Sequence, residues 1–158
     1  WQDERGSNLL DGGAPFYRPY KTKDDNYVFV AAIEPKFYAE LLQGTGISEL
    51  DPAAQFDQST WPTQVDVFSA AFSKQTRDEW ADCFSGTDAC VAPVLSLSEA
   101  PDHPHNQARK SFIEVNGVLQ PAPSPRFSRT CAEEPAGISE REETRADILR
   151  AWDVSEPI

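Results

Sequence analysis

Tyr27-Val28-Phe29-Val30-Ala31-Ala32-Ile33-Glu34-Pro35-Lys36-Phe37-Tyr38 is the stretch from which the fold is read. Its first half, Tyr27 to Ala32, is aromatic and β-branched, the composition of a strand. Pro35 then brings a φ already suited to a first helical turn, and Phe37, Tyr38, Leu41 and Leu42 follow at helical spacing, with Gly44 as the expected stop. A strand therefore runs into a short amphipathic helix. Upstream, Phe16 to Tyr20 has the same strand composition, and the polar run Lys21 to Asn26 suits the connection of a hairpin or of two neighbouring strands. Gly12-Gly13-Ala14-Pro15 marks the turn that leads into them.

Downstream, a second helix is expected from Thr60-Trp61-Pro62 to about Lys74, with Val65, Phe68 and Phe72 on its buried stripe. A third opens at Thr76-Arg77-Asp78-Glu79, a capping box, buries Trp80 and Phe84 and ends at Gly86. Ala89 to Leu95 reads as a buried strand pushed towards an edge or bulge by Pro93, and Ser96 or Ser98 is placed to cap a short helical turn. Asn116-Gly117 between Phe112–Val115 and Val118–Gln120 is the strongest hairpin signal of the chain. From Pro121 to about Glu143 proline and charge dominate, as in an extended or partly disordered linker. A last helix from about Thr144 carries Ile148, Leu149 and Trp152 on one stripe. The fold class is α+β, arranged as a connection over 1–14, a small domain over 15–120, a Pro-rich linker over 121–143 and a C-terminal helix over 144–158.

The chain of 158 residues is 39% hydrophobic and 25% charged, enough to bury a core. Its net charge of -12 repels nucleic acid and anionic membranes, so neither is expected as a partner. No apolar run approaches the roughly 20 residues of a membrane-spanning helix. The chain begins at Trp1 and contains no Met, which leads to the expectation of further sequence upstream. Cys83, Cys90 and Cys131 are odd in number and lack metal-ligand spacing, so free thiols in a reducing compartment are expected. No peroxisomal tripeptide stands at Glu156-Pro157-Ile158, which leaves the cytoplasm as the default location.

The familiar catalytic motifs are absent: there is no G-x-S-x-G, P-loop, G-x-G-x-x-G or H-E-x-x-H. His103 and His105 flank Pro104 with no third ligand near, so a surface turn is favoured over a metal site. Cys90, within an apolar run, reads as a small core hydrophobe rather than a reactive thiol. Gly12-Gly13 fits a turn better than a ligand contact. Glu34 occupies a helix-cap position where Ser, Thr, Asp or Asn is the usual choice. The helix N-terminus favours its ionised form, suited to supporting a neighbouring cation, although by residue chemistry alone a solvated first-turn acid is the simpler account.

Three segments, Asn8 to Tyr17, Val30 to Tyr38 and Thr87 to Leu95, resemble in order and spacing the consecutive signatures of the α-methylacyl-CoA racemases, within the family III CoA-transferase superfamily. Asp102 to Asn106 and Pro121 to Ser128 extend the resemblance, which runs from about Asn8 to Thr130; the tail beyond matches only loosely. The resemblance implies the smaller α+β domain of subunits that pair as interlocked rings, with a large α/β domain outside this chain onto which the C-terminal helix would dock. It implies C2 inversion of a 2-methylacyl-CoA thioester through an enolate, with a His and an Asp of the large domain as proton carriers and no metal or redox cofactor.

By the same resemblance, Glu34 in Ile33-Glu34-Pro35 is the active-site glutamate that hydrogen-bonds the catalytic His across the subunit interface. Leu10, Tyr17 and Ile33 would line the acyl side of the pocket, with core packing an equal alternative for Leu10 and Ile33. Full-length homodimers are implied, with most CoA contacts in the large domain, and the chain alone is expected to be inactive. A family III CoA-transferase is the nearest alternative, and a non-catalytic folding or dimerisation module the other.

Overall fold

The alternation of Tyr27 to Ala31 sends Val28 and Val30 to one side and Phe29 to the other, and the computed structural model shows what each side meets. The structure describes residues 2–133, 135, 137 and 144–154. These fall into two compact units, Trp1–Leu95 and Ser96–Ile158, the boundary lying inside the stretch 15–120 that reads as one domain in the sequence.

In the first unit, strand β1 (Tyr17–Lys21) pairs antiparallel with β2 (Tyr27–Ala31), and β2 with the short β3 (Val91–Pro93), in the order β1-β2-β3. Tyr20 stands opposite Val28 on the inner face. Against that face pack α1 (Pro35–Thr45), α2 (Trp61–Phe72) and α3 (Arg77–Cys83), and the shared core holds Phe16, Tyr38, Leu41, Phe68, Phe72, Trp80 and Phe84. Its rings interlock: Phe16 meets Tyr38 edge-on at 5.8 Å and Trp80 meets Phe72 at 5.1 Å. Side chains of this size contribute about 1.5–3 kcal/mol each when fully buried, which makes the helix faces cohere with the sheet.

The helix ends follow local chemistry. Thr76 and Glu79 close the capping box expected at the start of α3. The helix α1 runs one residue past Gly44 to Thr45, and the left-handed Gly46 (φ 71°) is its C-terminal cap. Gly44 serves packing instead, since a Cβ there would overlap the ring of Phe84. On α2 the buried stripe is Trp61, Gln64, Phe68, Ala71 and Phe72, with Val65 only half-buried, and the helix ends at Phe72 rather than Lys74.

Two expectations around residue 90 are corrected. The strand read over Ala89 to Leu95 is confined to Val91–Pro93, half-exposed at the sheet edge, where Pro93 needs no outer partner. Cys90 adopts φ 53° before it, so its thiol is exposed rather than in the core. The backbone turns at that residue to give its carbonyl to the Ala31 N–H at 2.9 Å, and the inward positions are taken by the buried Ala89 and the half-buried Val91.

In the second unit, the Ser96 hydroxyl accepts from the Glu99 N–H and so caps the turn over 97–99, which leads into a 3-10 turn at Ala100–Asp102 whose own cap, Glu99, makes no side-chain capping bond. His103 to His105 is not an irregular turn: His103 caps a short helix α4 (Pro104–Ala108), with Pro104 at its first position. A two-stranded sheet of β4 (Phe112–Val115) and β5 (Val118–Pro121) turns at Asn116 (φ 51°) and Gly117 (φ 77°), the geometry that an Asn-Gly loop favours. Beyond it the chain has no regular element among the described residues until α5 (Arg145–Ala151), capped by Thr144 and Asp147. On α5 Ile148 and the following Trp152 are exposed and Leu149 is half-buried; Glu156 to Ile158 lie outside the described residues.

Candidate functional site

Glu34 sits at the corner where β2 becomes α1. Its backbone is extended (φ -72°, ψ 138°), Pro35 opens the helix, and the Glu34 carbonyl accepts from the N–H groups of Phe37 and Tyr38 at 2.9 and 3.0 Å. The carboxylate makes no capping hydrogen bond and is exposed. A glutamate reaches past the cap geometry that Asp or Ser would satisfy, so this carboxylate projects from the corner while the helix N-terminus favours its charge.

The neighbourhood is acidic. Burial first, then the negative charges of Glu34, Asp88 and Glu40, push the Cys90 thiol above its ordinary pKa, with Lys36 opposing them. Glu40 accepts from the Asp88 N–H at 2.8 Å, which ties the loop before β3 to α1. A thiol in this field stays protonated, so Cys90 is a poor nucleophile. The same field would favour a cationic group, such as an imidazolium, brought against the corner.

The corner is fixed from beneath by residues that carried no signal in the sequence. Gln55, 1% exposed, follows a 3-10 turn at Pro52–Ala54 and donates its side-chain amide to the carbonyls of Ala32 and Ile33 at 3.1 and 2.9 Å. Its own carbonyl accepts from the indole N–H of Trp61 at 3.0 Å. The two carbonyls that its side-chain amide meets lie more than twenty residues away in the chain, and only the fold brings them together.

Tyr17 and Ile33 flank the corner. Tyr17 stands opposite Ala31 in the ladder, is half-buried and meets Phe29 edge-on at 5.4 Å on the outer face of the sheet. Ile33 is half-buried and outside the core cluster, its N–H donating to the Ala31 carbonyl at 3.0 Å. Leu10 is 54% exposed and likewise outside the core, while its neighbour Leu9 packs against it. Neither Leu10 nor Ile33 belongs to the core cluster. Leu10 lies in a loop closed by the Gly13 N–H to the Asn8 carbonyl at 3.2 Å, and a Cβ on Gly13 would come within 2.7 Å of that carbonyl. Gly12 adopts φ 95°, so the glycine pair builds the turn.

Among the described residues no group of His, Cys, Asp and Glu is arranged to hold a metal, and no helix is long and apolar enough to cross a membrane. His103 accepts the His105 N–H at its Nδ1, a local cap.

Comparison with known proteins fits this arrangement. Over 133 residues the chain is 48% identical to the mouse α-methylacyl-CoA racemase and 42% identical to the human one, covering 84% of this chain and 35% of each relative. It is 36% identical over 118 residues to the CaiB/baiF CoA-transferase family protein ZK892.4 of Caenorhabditis elegans, covering 75% of this chain and 33% of that protein. The chain thus spans about a third of the length of these relatives. Crystal structures of Rv3272 from Mycobacterium tuberculosis share the fold, with TM-scores of 0.61 and 0.64 at 17% and 15% identity, covering 73% and 89% of this chain and 33% and 40% of theirs. The model of CoA-transferase family III matches residues 2–142, and the chain belongs to that family.

Proposed function

We propose that this chain is the small-domain part of an α-methylacyl-CoA racemase, which inverts C2 of 2-methylacyl-CoA thioesters by removing the C2 proton on one face and delivering a proton to the other. The observation that carries the reading is Glu34: a carboxylate held at a rigid strand-to-helix corner, exposed and uncommitted to its own helix cap. Identity of 48% and 42% to proteins named α-methylacyl-CoA racemase supports it.

The thioester carbonyl delocalises the electron pair left at C2, so a base of ordinary strength removes the proton and an enolate forms, with no metal or redox cofactor required by the chemistry. Return of a proton to the opposite face inverts the centre. A His and an Asp from the large domain would be the two proton carriers, and Glu34 would accept a hydrogen bond from the imidazole, fixing its tautomer and stabilising its cation. Tyr17, Ile33 and Leu10 would bound the acyl chain. The large domain, a second subunit and the acyl-CoA substrate are the proposed partners, and C-terminal helix α5 would pack on the large domain. The proposed compartment is the cytoplasm, where thiols such as Cys83, Cys90 and Cys131 stay reduced.

Exchange of the C2 hydrogen of a 2-methylacyl-CoA in deuterated water tests the reading. The full-length protein should exchange and epimerise, and the 158-residue chain alone should do neither. Turnover by the isolated chain, or a full-length protein with no C2 exchange, would overturn it. The family's description as CoA-transferase favours a second reading, transfer of CoA between acids. Adding a free carboxylic acid separates the two, because only a transferase moves CoA onto it.

A further inference from the structure

We propose that Gln55 is a positioning residue for the racemase reaction, acting on Glu34 through the backbone that carries it; the inference rests on the reading of Glu34 given above. Where β2 leaves the ladder, the carbonyls of Ala32 and Ile33 have passed the last strand pair, Tyr17 with Ala31. Both point into the protein, and both are met by one side chain, the Gln55 amide, at 3.1 and 2.9 Å. Those are the two peptide units immediately before Glu34. On the other side of the corner the Ala32 N–H donates to Phe16 and the Ala31 N–H to Cys90, each at 2.9 Å. The corner is thus pinned by Phe16 just before β1, by Cys90 just before β3 and by Gln55, and only the last of these acts through its side chain.

The chemistry selects an amide. Two carbonyl acceptors require two N–H donors on one atom, and the glutamine Nε2 supplies them. Turning the amide over would set its oxygen against two carbonyl oxygens, so its orientation is fixed. This leaves the Gln55 Oε1 buried with no hydrogen-bond partner among the described residues, a cost the fold accepts in order to hold the corner. The side chain has little freedom to drift, since the Gln55 carbonyl is held by the Trp61 indole and the neighbouring Ala54 carbonyl by Gln64 Nε2 at 3.1 Å. The Glu34 carboxylate has no capping bond of its own, so its direction depends on the backbone that Gln55 holds. A carboxylate orienting an imidazole must be placed within about 0.5 Å, and a 1 Å error costs about a hundredfold in rate.

The test is a double-mutant cycle in the full-length enzyme, with Gln55→Met, Glu34→Gln and both together. The expected result for Gln55→Met is a fall in kcat of about tenfold to a hundredfold with KM nearly unchanged. In the Glu34→Gln background the same change should have little further effect. An unchanged kcat in folded Gln55→Met, or an equal loss in both backgrounds, overturns the positioning role. Should Glu34→Gln alone leave kcat intact, the reading of Glu34 fails separately, and any loss then seen in Gln55→Met marks a general structural role. If Gln55→Met does not fold, Trp61→Phe keeps a smaller aromatic ring in the core while removing the indole N–H that steadies Gln55, and it should give a smaller loss of kcat that again vanishes in the Glu34→Gln background; an equal loss in both backgrounds overturns the positioning role.

Discussion

Tyr17 stands edge-on to Phe29, with ring centroids 5.4 Å apart and planes at 87°, on the face of the sheet turned away from Tyr20, Val28 and Val30. The two residues are diagonal neighbours across the β1–β2 ladder, since Tyr17 pairs with Ala31 and Phe29 with Pro19. Each ring limits the other's rotation, so the outer face of the sheet carries a small aromatic wall of defined shape.

If that wall bounds the acyl chain, Tyr17→Ala removes contact made equally in the ground state and the transition state. The expected result in the full-length enzyme is a rise in KM of about tenfold with kcat little changed. Tyr17→Phe keeps the edge contact and should behave almost as the parent. Steady-state epimerisation kinetics check this, and a loss confined to kcat would remove Tyr17 from the acyl pocket.

A second prediction concerns the polar bond inside the aromatic core. The Tyr38 hydroxyl donates to Gln64 Oε1 at 3.0 Å, and Gln64 is 3% exposed. Burial pushes the phenol up to about 12, so it remains a neutral donor across the ordinary pH range. Tyr38→Phe preserves the ring contacts with Phe16 and Phe68 but leaves a buried amide oxygen without this donor. Destabilisation of about 1–3 kcal/mol is expected in urea unfolding. An unchanged midpoint would mean that water satisfies Gln64 in the variant.

The first hairpin, the capping box at Thr76 and the Asn116-Gly117 turn were legible in the sequence because each is decided by chemistry within a few residues. Glu34 was legible as a cap of an unusual kind, and the family signatures supplied what its chemistry alone did not. Gln55 was not legible: it lies between Ala54 and Phe56 in a polar connection, and its meaning resides in carbonyls 22 and 23 residues earlier. Cys90 was misread because an apolar run suggests a continuous strand, whereas one left-handed residue turns the thiol outward. Gly44 reads as the stop of α1 in the sequence, but the left-handed cap is Gly46, and the ring of Phe84 explains the glycine at 44 instead.

That distinction gives a third prediction. A Cβ at Gly44 overlaps Phe84, whereas a Cβ at Gly46 meets nothing within 4 Å but is strained by φ 71°. Gly44→Ala should cost about 1–3 kcal/mol through overpacking, and Gly46→Ala about 1–2 kcal/mol through backbone strain. Adding Phe84→Leu should lessen the effect of the first and leave the effect of the second unchanged. Thermal or urea unfolding of the five variants, Phe84→Leu alone included, reads this out, and equal coupling of Phe84→Leu to both glycines would contradict the packing argument.

The last prediction is one of acid sensitivity. Asp24 accepts from the Thr22 hydroxyl at 2.6 Å, from the Asn26 amide at 2.9 Å and from the Arg77 N–H at 3.1 Å, so it ties the β1–β2 connection to the start of α3. The hydrogen bond from Thr22 first, then that from Asn26, with the Arg77 N–H adding to them, holds its carboxyl far below the ordinary value of 3.8. A folded-state pKa below the unfolded one means that the unfolded chain binds the proton more readily. The stabilisation is therefore fully present above the unfolded value and is lost as pH falls below it towards the folded value. Asp24→Asn should lower the urea midpoint at about pH 6, and the gap from the parent should narrow as pH falls below about 4. A gap that stays constant from about pH 6 down to about pH 2 would mean that the Asp24 charge contributes nothing, and that only the shape of its hydrogen bonds matters to this connection.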